Sequence, residues 1–311
     1  MKHIISIVTG SVAAAFLVAP VFGQQAVIDM HVHARNAVQS GPEHPDNIAV
    51  RQAYLTEANE NNVVLFAASG AQEFVESWAE FFGTRMLAGP VFPCINGLTQ
   101  HEGESDGRMP CFKSGKAFPD LNWLRKQHQD GQLKVMGEIG TQYVGIAFDD
   151  AKMLPYYQLA EELNIPVAIH TAGGPPLTAK RCCPDFRLSI GDPALLEEIL
   201  VRYPRLRVQI MHANVLTYPA LIRLLQQFPR LTVDLTPFQS ILPTDGFHHM
   251  LRTYKMHGLI NRIMFATDDF PLASSLEAYR SADFLSAAEL DGILCKNAER
   301  FLELEGICKA R

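Results

Sequence analysis

The first chemical signal in this chain is the run Val27-Ile28-Asp29-Met30-His31-Val32-His33. In an extended strand, side chains two positions apart point to the same face. His31 and His33 therefore project together, with Asp29 below them. Two imidazoles on one face can offer nitrogens to a single cation, and neutral imidazole suits Zn, Fe, Ni or Cu. A His-x-His pair also occurs by chance or as surface decoration, so the metal reading depends on what else the fold brings to it.

The elements that must position such residues alternate regularly. Short apolar runs predict strands at 27–33, 63–67, 86–92, 133–139, 166–170, 207–212, 231–235 and 262–267. Helical stretches fall between them at 46–61, 71–82, 119–130, 150–164, 192–203, 218–228 and 245–257, and two further helices run to about 304. Asp192-Pro193 opens one of these helices with a capping carboxylate and a first-turn proline. The stretches 93–115 and 171–190 are rich in Gly, Pro and polar residues and read as long loops. Eight strand–helix alternations predict an α/β fold, a closed (β/α)8 TIM barrel. An open doubly wound sheet is the alternative, but no glycine-rich dinucleotide fingerprint follows the first strand. No linker divides 24–311, which reads as a single barrel domain.

Barrel active sites sit at the C-terminal ends of the strands. Those ends carry His31 and His33, then Glu138, His170 and His212, with Asp268 directly after the eighth strand. All are ligand types for a Lewis-acidic metal. Individually, Glu138 could be a solvated carboxylate, and His170 and His212 could be satisfied core histidines. Asp268 is preferred to its neighbour Asp269 because it follows the strand directly.

In order along the chain, Asp29-x-His31-x-His33, Gly137-Glu138-Ile139-Gly140, Ile169-His170, Met211-His212-Ala213 and Phe265-Ala266-Thr267-Asp268 resemble the serial motifs of the amidohydrolase superfamily. Over about 27–303 the chain is similar to its amidohydrolase-related (amidohydrolase 2) family, the group that also contains aminocarboxymuconate-semialdehyde decarboxylase. Asn297-Ala298-x-Arg300-Phe301-Leu302 is similar to that group's C-terminal helix. The resemblance implies a metal-dependent barrel hydrolase or, less often, a decarboxylase. It implies a divalent metal, first of all Zn2+, with Mn2+ or Fe2+ as alternatives, and one or two ions. In the one-metal pattern His31, His33, His170 and Asp268 hold the ion and His212 is a base. In the two-metal pattern a strand-four residue bridges the ions, here Glu138 where many binuclear relatives use a carboxylated lysine. Glu138 favours a hydrolase over the decarboxylase.

The expected reaction uses a metal-activated water to cleave an amide, lactone or ester. Asp268 takes the water's proton and hands it to the leaving group, and His212 serves as ligand, shuttle or polarising group. Metal-assisted decarboxylation of a small unsaturated or aromatic acid is the alternative, and a non-enzymatic binding protein that keeps the barrel is a third reading. The long loops would build the substrate pocket, with Gly173, Gly174, Arg181, Arg187 and the Cys182–Cys183 pair as candidates. Arg187 could grip a carboxylate bidentately or simply stand at the surface.

Composition bounds the setting. The chain has 311 residues, 48% of them hydrophobic, and a formal net charge of -6, which gives no sign of a nucleic-acid partner. Lys2 and His3 precede an apolar run from 4 to 18, then Pro20 and Val21-Phe22-Gly23, the pattern of an export signal cut after Gly23. A membrane anchor is the alternative, but the run is short for spanning. The expected product is periplasmic or secreted, with a small-molecule substrate, no membrane association after signal cleavage and a homo-oligomer as an open alternative. In an oxidising compartment the six cysteines would form disulfides. We expect 94 paired with 111 and 295 with 308, with 182 and 183 bridged to each other or free.

Overall fold

The computed structural model describes residues 25–38, 40–94 and 111–309. The expected export signal and residues 95–110 of the first long loop lie outside them. Seven parallel strands are present: β1 Val27–His33, β2 Val63–Gly70, β3 Met86–Pro90, β4 Met136–Ile139, β5 Val167–His170, β6 Val208–Met211 and β7 Leu231–Val233. β1-β2-β3 form one sheet and β4-β5-β6-β7 another. The two are joined where Phe92 N donates to Glu138 O at 3.0 Å and Gly140 N to Phe92 O at 2.9 Å. Residues 263–267 close the circle: Met264 N donates to Val233 O at 2.8 Å, and Met30 N to Phe265 O at 3.0 Å. The barrel expected from the alternation is therefore present, in the order of the chain.

The expected eighth strand is not regular. The reason lies in Asp29, whose carboxylate accepts from Thr267 N at 3.0 Å and Thr267 Oγ1 at 2.6 Å. A side chain takes the place of a ladder partner, and only the bridge from Ile263 to Val233 keeps sheet geometry. Asp29 thus ties the first strand to the last segment rather than lying free below the histidines. The helix expected at 192–203 starts as a 3-10 turn, Pro193–Leu196, where Asp192 accepts from Ala194 N at 2.9 Å, before Glu197–Arg202 becomes α-helical. The second long loop contains the helical turn Thr178–Arg181.

Alternate residues of a strand fall into different apolar clusters, as the pleat requires. Phe66, Ile169, Ile210 and Phe265 pack outward with Trp78, Leu124, Leu221 and Phe247 of the surrounding helices. Leu65, Ala168, Met211 and Met264 face inward and meet Ala298 and Phe301 near the C-terminus. Filling the interior from that end leaves the polar strand ends to line the opposite one. Asn297 explains its own motif: its Nδ2 donates to Ile260 O at 3.0 Å and Ile263 O at 2.7 Å, and its Oδ1 accepts from Arg300 at 2.8 Å. It fastens the C-terminal helix Asn297–Phe301 to the start of the eighth segment.

All six cysteines are paired, Cys94–Cys111, Cys182–Cys183 and Cys295–Cys308. The first closes the two ends of the loop after β3. The last ties the turn Gly292–Lys296 to the chain end.

Candidate metal centre

The strand ends expected to carry ligands converge at one end of the barrel. Each needs a sharp exit from its strand. His212, Asp268 and Asp269 have φ of 60°, 50° and 65°, a left-handed conformation that non-glycine residues adopt at a cost, and one that clusters at functional sites. Gly137 sits at φ 149°, and a Cβ there would collide with the carbonyl oxygen of Ala168 on β5. Only glycine lets β4 approach closely enough to place Glu138 in the cluster.

Glu138 lies between two groups of ligand atoms. Its Oε2 is 3.7 Å from His31 Nε2 and 3.5 Å from His33 Nε2. Asp268 Oδ1 approaches the same two nitrogens at 3.4 and 3.2 Å. On the other side, Glu138 Oε1 is 2.6 Å from His170 Nδ1 and 4.0 Å from His212 Nε2. His212 Nε2 and His170 Nδ1 are 3.0 Å apart. Among the described residues, His31, His33 and Asp268 form one group able to hold a cation and Glu138, His170 and His212 another. His170 thus stands with His212 and Glu138 rather than with the three ligands that the one-metal pattern assigns to it.

Asp234, which the strand-end reading did not single out, completes a third group with His31 and His212. Its Oδ2 is 3.5 Å from His31 Nδ1, and its Oδ1 accepts from Thr236 Oγ1 at 2.6 Å. Thr236 lies 3.3 Å from His31 Nδ1 through that hydroxyl, and its carbonyl accepts from His212 Nδ1 at 2.9 Å. Holding the Nδ1 of a histidine in this way fixes the ring and leaves Nε2 for a metal. His31 Nε2 is buried and has no hydrogen-bond partner among the described residues, and it faces Glu138 and Asp268 at 3.7 and 3.4 Å. A buried nitrogen without a partner is costly, and one that faces two carboxylates in this way fits a ligand to a cation. His170 turns its Nδ1 to Glu138 instead. The donor set of imidazoles and carboxylates fits a divalent metal of the Zn, Mn or Fe type.

The electrostatics agree. Burial pushes the Glu138 carboxyl up, but hydrogen bonds from His170, His212 and His31 outweigh it and hold it well below the usual range. Asp268 behaves alike: burial is outweighed by the charge of His31 and the contact with His33. His33 is held up to about 9: burial opposes its charge, and Asp269, Asp268 and Glu138 overcome it. Burial moves Asp29 up to about 7 against its bonds to Thr267. The cluster is a concentration of negative charge that attracts protons or a metal.

A cleft of about 860 Å³ opens over the cluster, lined by His33, Glu138, His170, His212 and Asp268 and by the loop residues Gly173 and Gly174. Arg187 does not line it. Its guanidinium donates to Pro184 O and Phe186 O, both at 2.8 Å, and it stands exposed on the loop. The arginine at the cleft is Arg35, 2.8 Å from Asp269 Oδ2.

The chain is similar to several solved barrels. One is an uncharacterized TIM-barrel protein from Bordetella bronchiseptica: 14% identity, 89% of this chain and 98% of that one, TM-score 0.62. Another is a probable 2-pyrone-4,6-dicarboxylic acid hydrolase from Acinetobacter baumannii with citric acid bound: 13%, 89% and 99%, 0.59. A third is a dihydroxybenzoic acid decarboxylase from a Polaromonas species with bound manganese: 11%, 91% and 98%, 0.57. At such identities the likeness speaks for the fold. No curated protein matches the chain. The family model for amidohydrolases of the Amidohydro_2 type matches residues 117–304, more than half of the chain, from the helix before β4 to the C-terminal helix. With that match laid over a closed barrel and its ligand-bearing strand ends, the chain belongs to the amidohydrolase family, a family of metal-dependent enzymes.

Proposed function

We propose that this chain is an exported metal-dependent hydrolase that cleaves an amide, lactone or ester bond of a small molecule. The observation that carries this reading is Glu138, whose two oxygens face two separate groups of imidazoles at 2.6 to 4.0 Å. His31, His33 and Asp268 would hold one divalent ion and His170 and His212 a second, with Glu138 shared between them. Zn2+ is our first assignment, and Mn2+ or Fe2+ suits the same donors. When bound, such a metal lowers the pKa of water towards neutrality and polarises a carbonyl.

The chain's own residues supply the rest. Asp268 receives a proton from the attacking water and returns it to the leaving group, for which its second oxygen faces His212 Nδ1 across 4.0 Å rather than the first pair of histidines. His212, fixed by the Thr236 carbonyl, presents Nε2 beside Glu138 as a ligand or as a donor to the substrate oxygen. Asp268→Asn is expected to lower turnover by about a hundredfold to ten-thousandfold with the fold intact by circular dichroism. Products of the active protein should be an acid and an alcohol or amine, or a single hydroxy acid from a lactone. Release of carbon dioxide from an aromatic acid instead, or a variant stripped of metal that keeps its rate, would contradict the reading.

Export is supported by the signal-like N-terminus and by the pairing of every cysteine, since disulfides persist in oxidising compartments. The exported protein should begin at Gln24, which N-terminal sequencing reads. An uncut N-terminus on the purified exported protein would contradict cleavage.

A further inference from the structure

We propose that the substrate is an uncharged acyl compound whose non-reacting part is apolar. The proposal rests on the hydrolytic reading above and adds what the rest of the cleft selects. A space of about 860 Å³ is ample for a small organic molecule beyond its reacting carbonyl. Away from the ligand cluster its walls are mostly apolar, Phe74, Val91, Tyr218, Phe238, Leu188 and Ile241, with Asn36, Asn214 and Thr217 among them. Leu188 and Ile241 are 61% and 56% exposed, so apolar side chains stand at the opening where solvent would otherwise favour polar ones.

The charges point the same way. Apart from the histidines, the charged residues among the described lining are Glu138, Asp268, Asp269 and Arg35. Arg35 is engaged with Asp269, through Nε at 2.8 Å from Oδ2 and through its terminal nitrogen donating to the backbone oxygen at 2.8 Å. Arg187, a candidate from the sequence for gripping a carboxylate, is turned to the carbonyls of its own loop. A carboxylate on the body of the substrate would meet mostly apolar walls, with no uncommitted guanidinium or ammonium among the described lining residues to receive it. Burying an unpaired charge is unfavourable. An alkyl or aryl group avoids that penalty and buries apolar area instead.

The test uses the full mature protein loaded with Zn2+ or Mn2+ and two esters of equal length, phenyl hexanoate and the monophenyl ester of adipic acid. They differ only in a terminal methyl against a terminal carboxylate. We expect kcat/KM to be at least tenfold higher for the hexanoate. Ile241→Lys, at an exposed position where folding is not at stake, should narrow that gap by about threefold or more by supplying a cation. Equal rates, or preference for the adipate ester, would overturn the proposal while leaving hydrolysis established. If neither ester is cleaved, ester hydrolysis is excluded, and calorimetry with the matching phenyl ketones decides the cleft's preference separately. Tighter binding of the neutral ketone supports that preference, and equal or tighter binding of its carboxylated partner overturns it.

Discussion

Glu138 offers one oxygen to His31 and His33 and the other to His170 and His212, and that division gives the cluster room for more than one ion. The convergence of these side chains was legible because strand ends in a barrel share one rim, so a histidine or carboxylate there can be placed from position alone. Asp234 was not, although it directly follows β7 Leu231–Val233. A carboxylate that acts by orienting a histidine has no spacing signature of its own. Its role predicts a distinct phenotype: Asp234→Asn should weaken metal binding by about tenfold to a hundredfold, as changes to groups behind a ligand do. Competition with a chelator measures it, and unchanged affinity would remove Asp234 from the centre. Arg187 shows the converse. Loop composition supplied a guanidinium near the site, but its direction is set by the carbonyls of Pro184 and Phe186, which sequence does not reveal.

At the scale of elements, strand order and helix positions followed from apolar periodicity, and the departures have local causes. The eighth segment has the apolar run of a strand, Ile263-Met264-Phe265-Ala266, but Asp29 claims the amide and hydroxyl of Thr267. That is a contact across 238 positions that no local pattern encodes. The C-terminal motif is likewise a long-range device. Asn297 is buried and satisfies two carbonyls at the start of the eighth segment, the same segment that delivers Asp268. Asn297→Ala should cost about 1–3 kcal/mol of stability by leaving those carbonyls without a donor. Denaturant unfolding checks this, and a loss well under that range would mean that water replaces the side chain.

The whole molecule combines a barrel filled from one end with a polar centre at the other, and the three disulfides lie in connecting segments outside the seven strands. Cys94–Cys111 and Cys295–Cys308 close loops of 17 and 13 residues, each worth about 3 kcal/mol in the chain-entropy model. Their pairing was legible from closeness in sequence, and the vicinal pair was one of two stated alternatives. Among the described residues no helix is long and apolar enough to cross a membrane. The measurement that bears most directly on the account is metal content per chain of the purified mature protein and of Glu138→Ala. The shared carboxylate predicts two ions per chain, falling to one or none in the variant. One ion that the substitution leaves unchanged would contradict the bridge, and no bound ion after supplying Zn2+ or Mn2+ would contradict the metal centre itself.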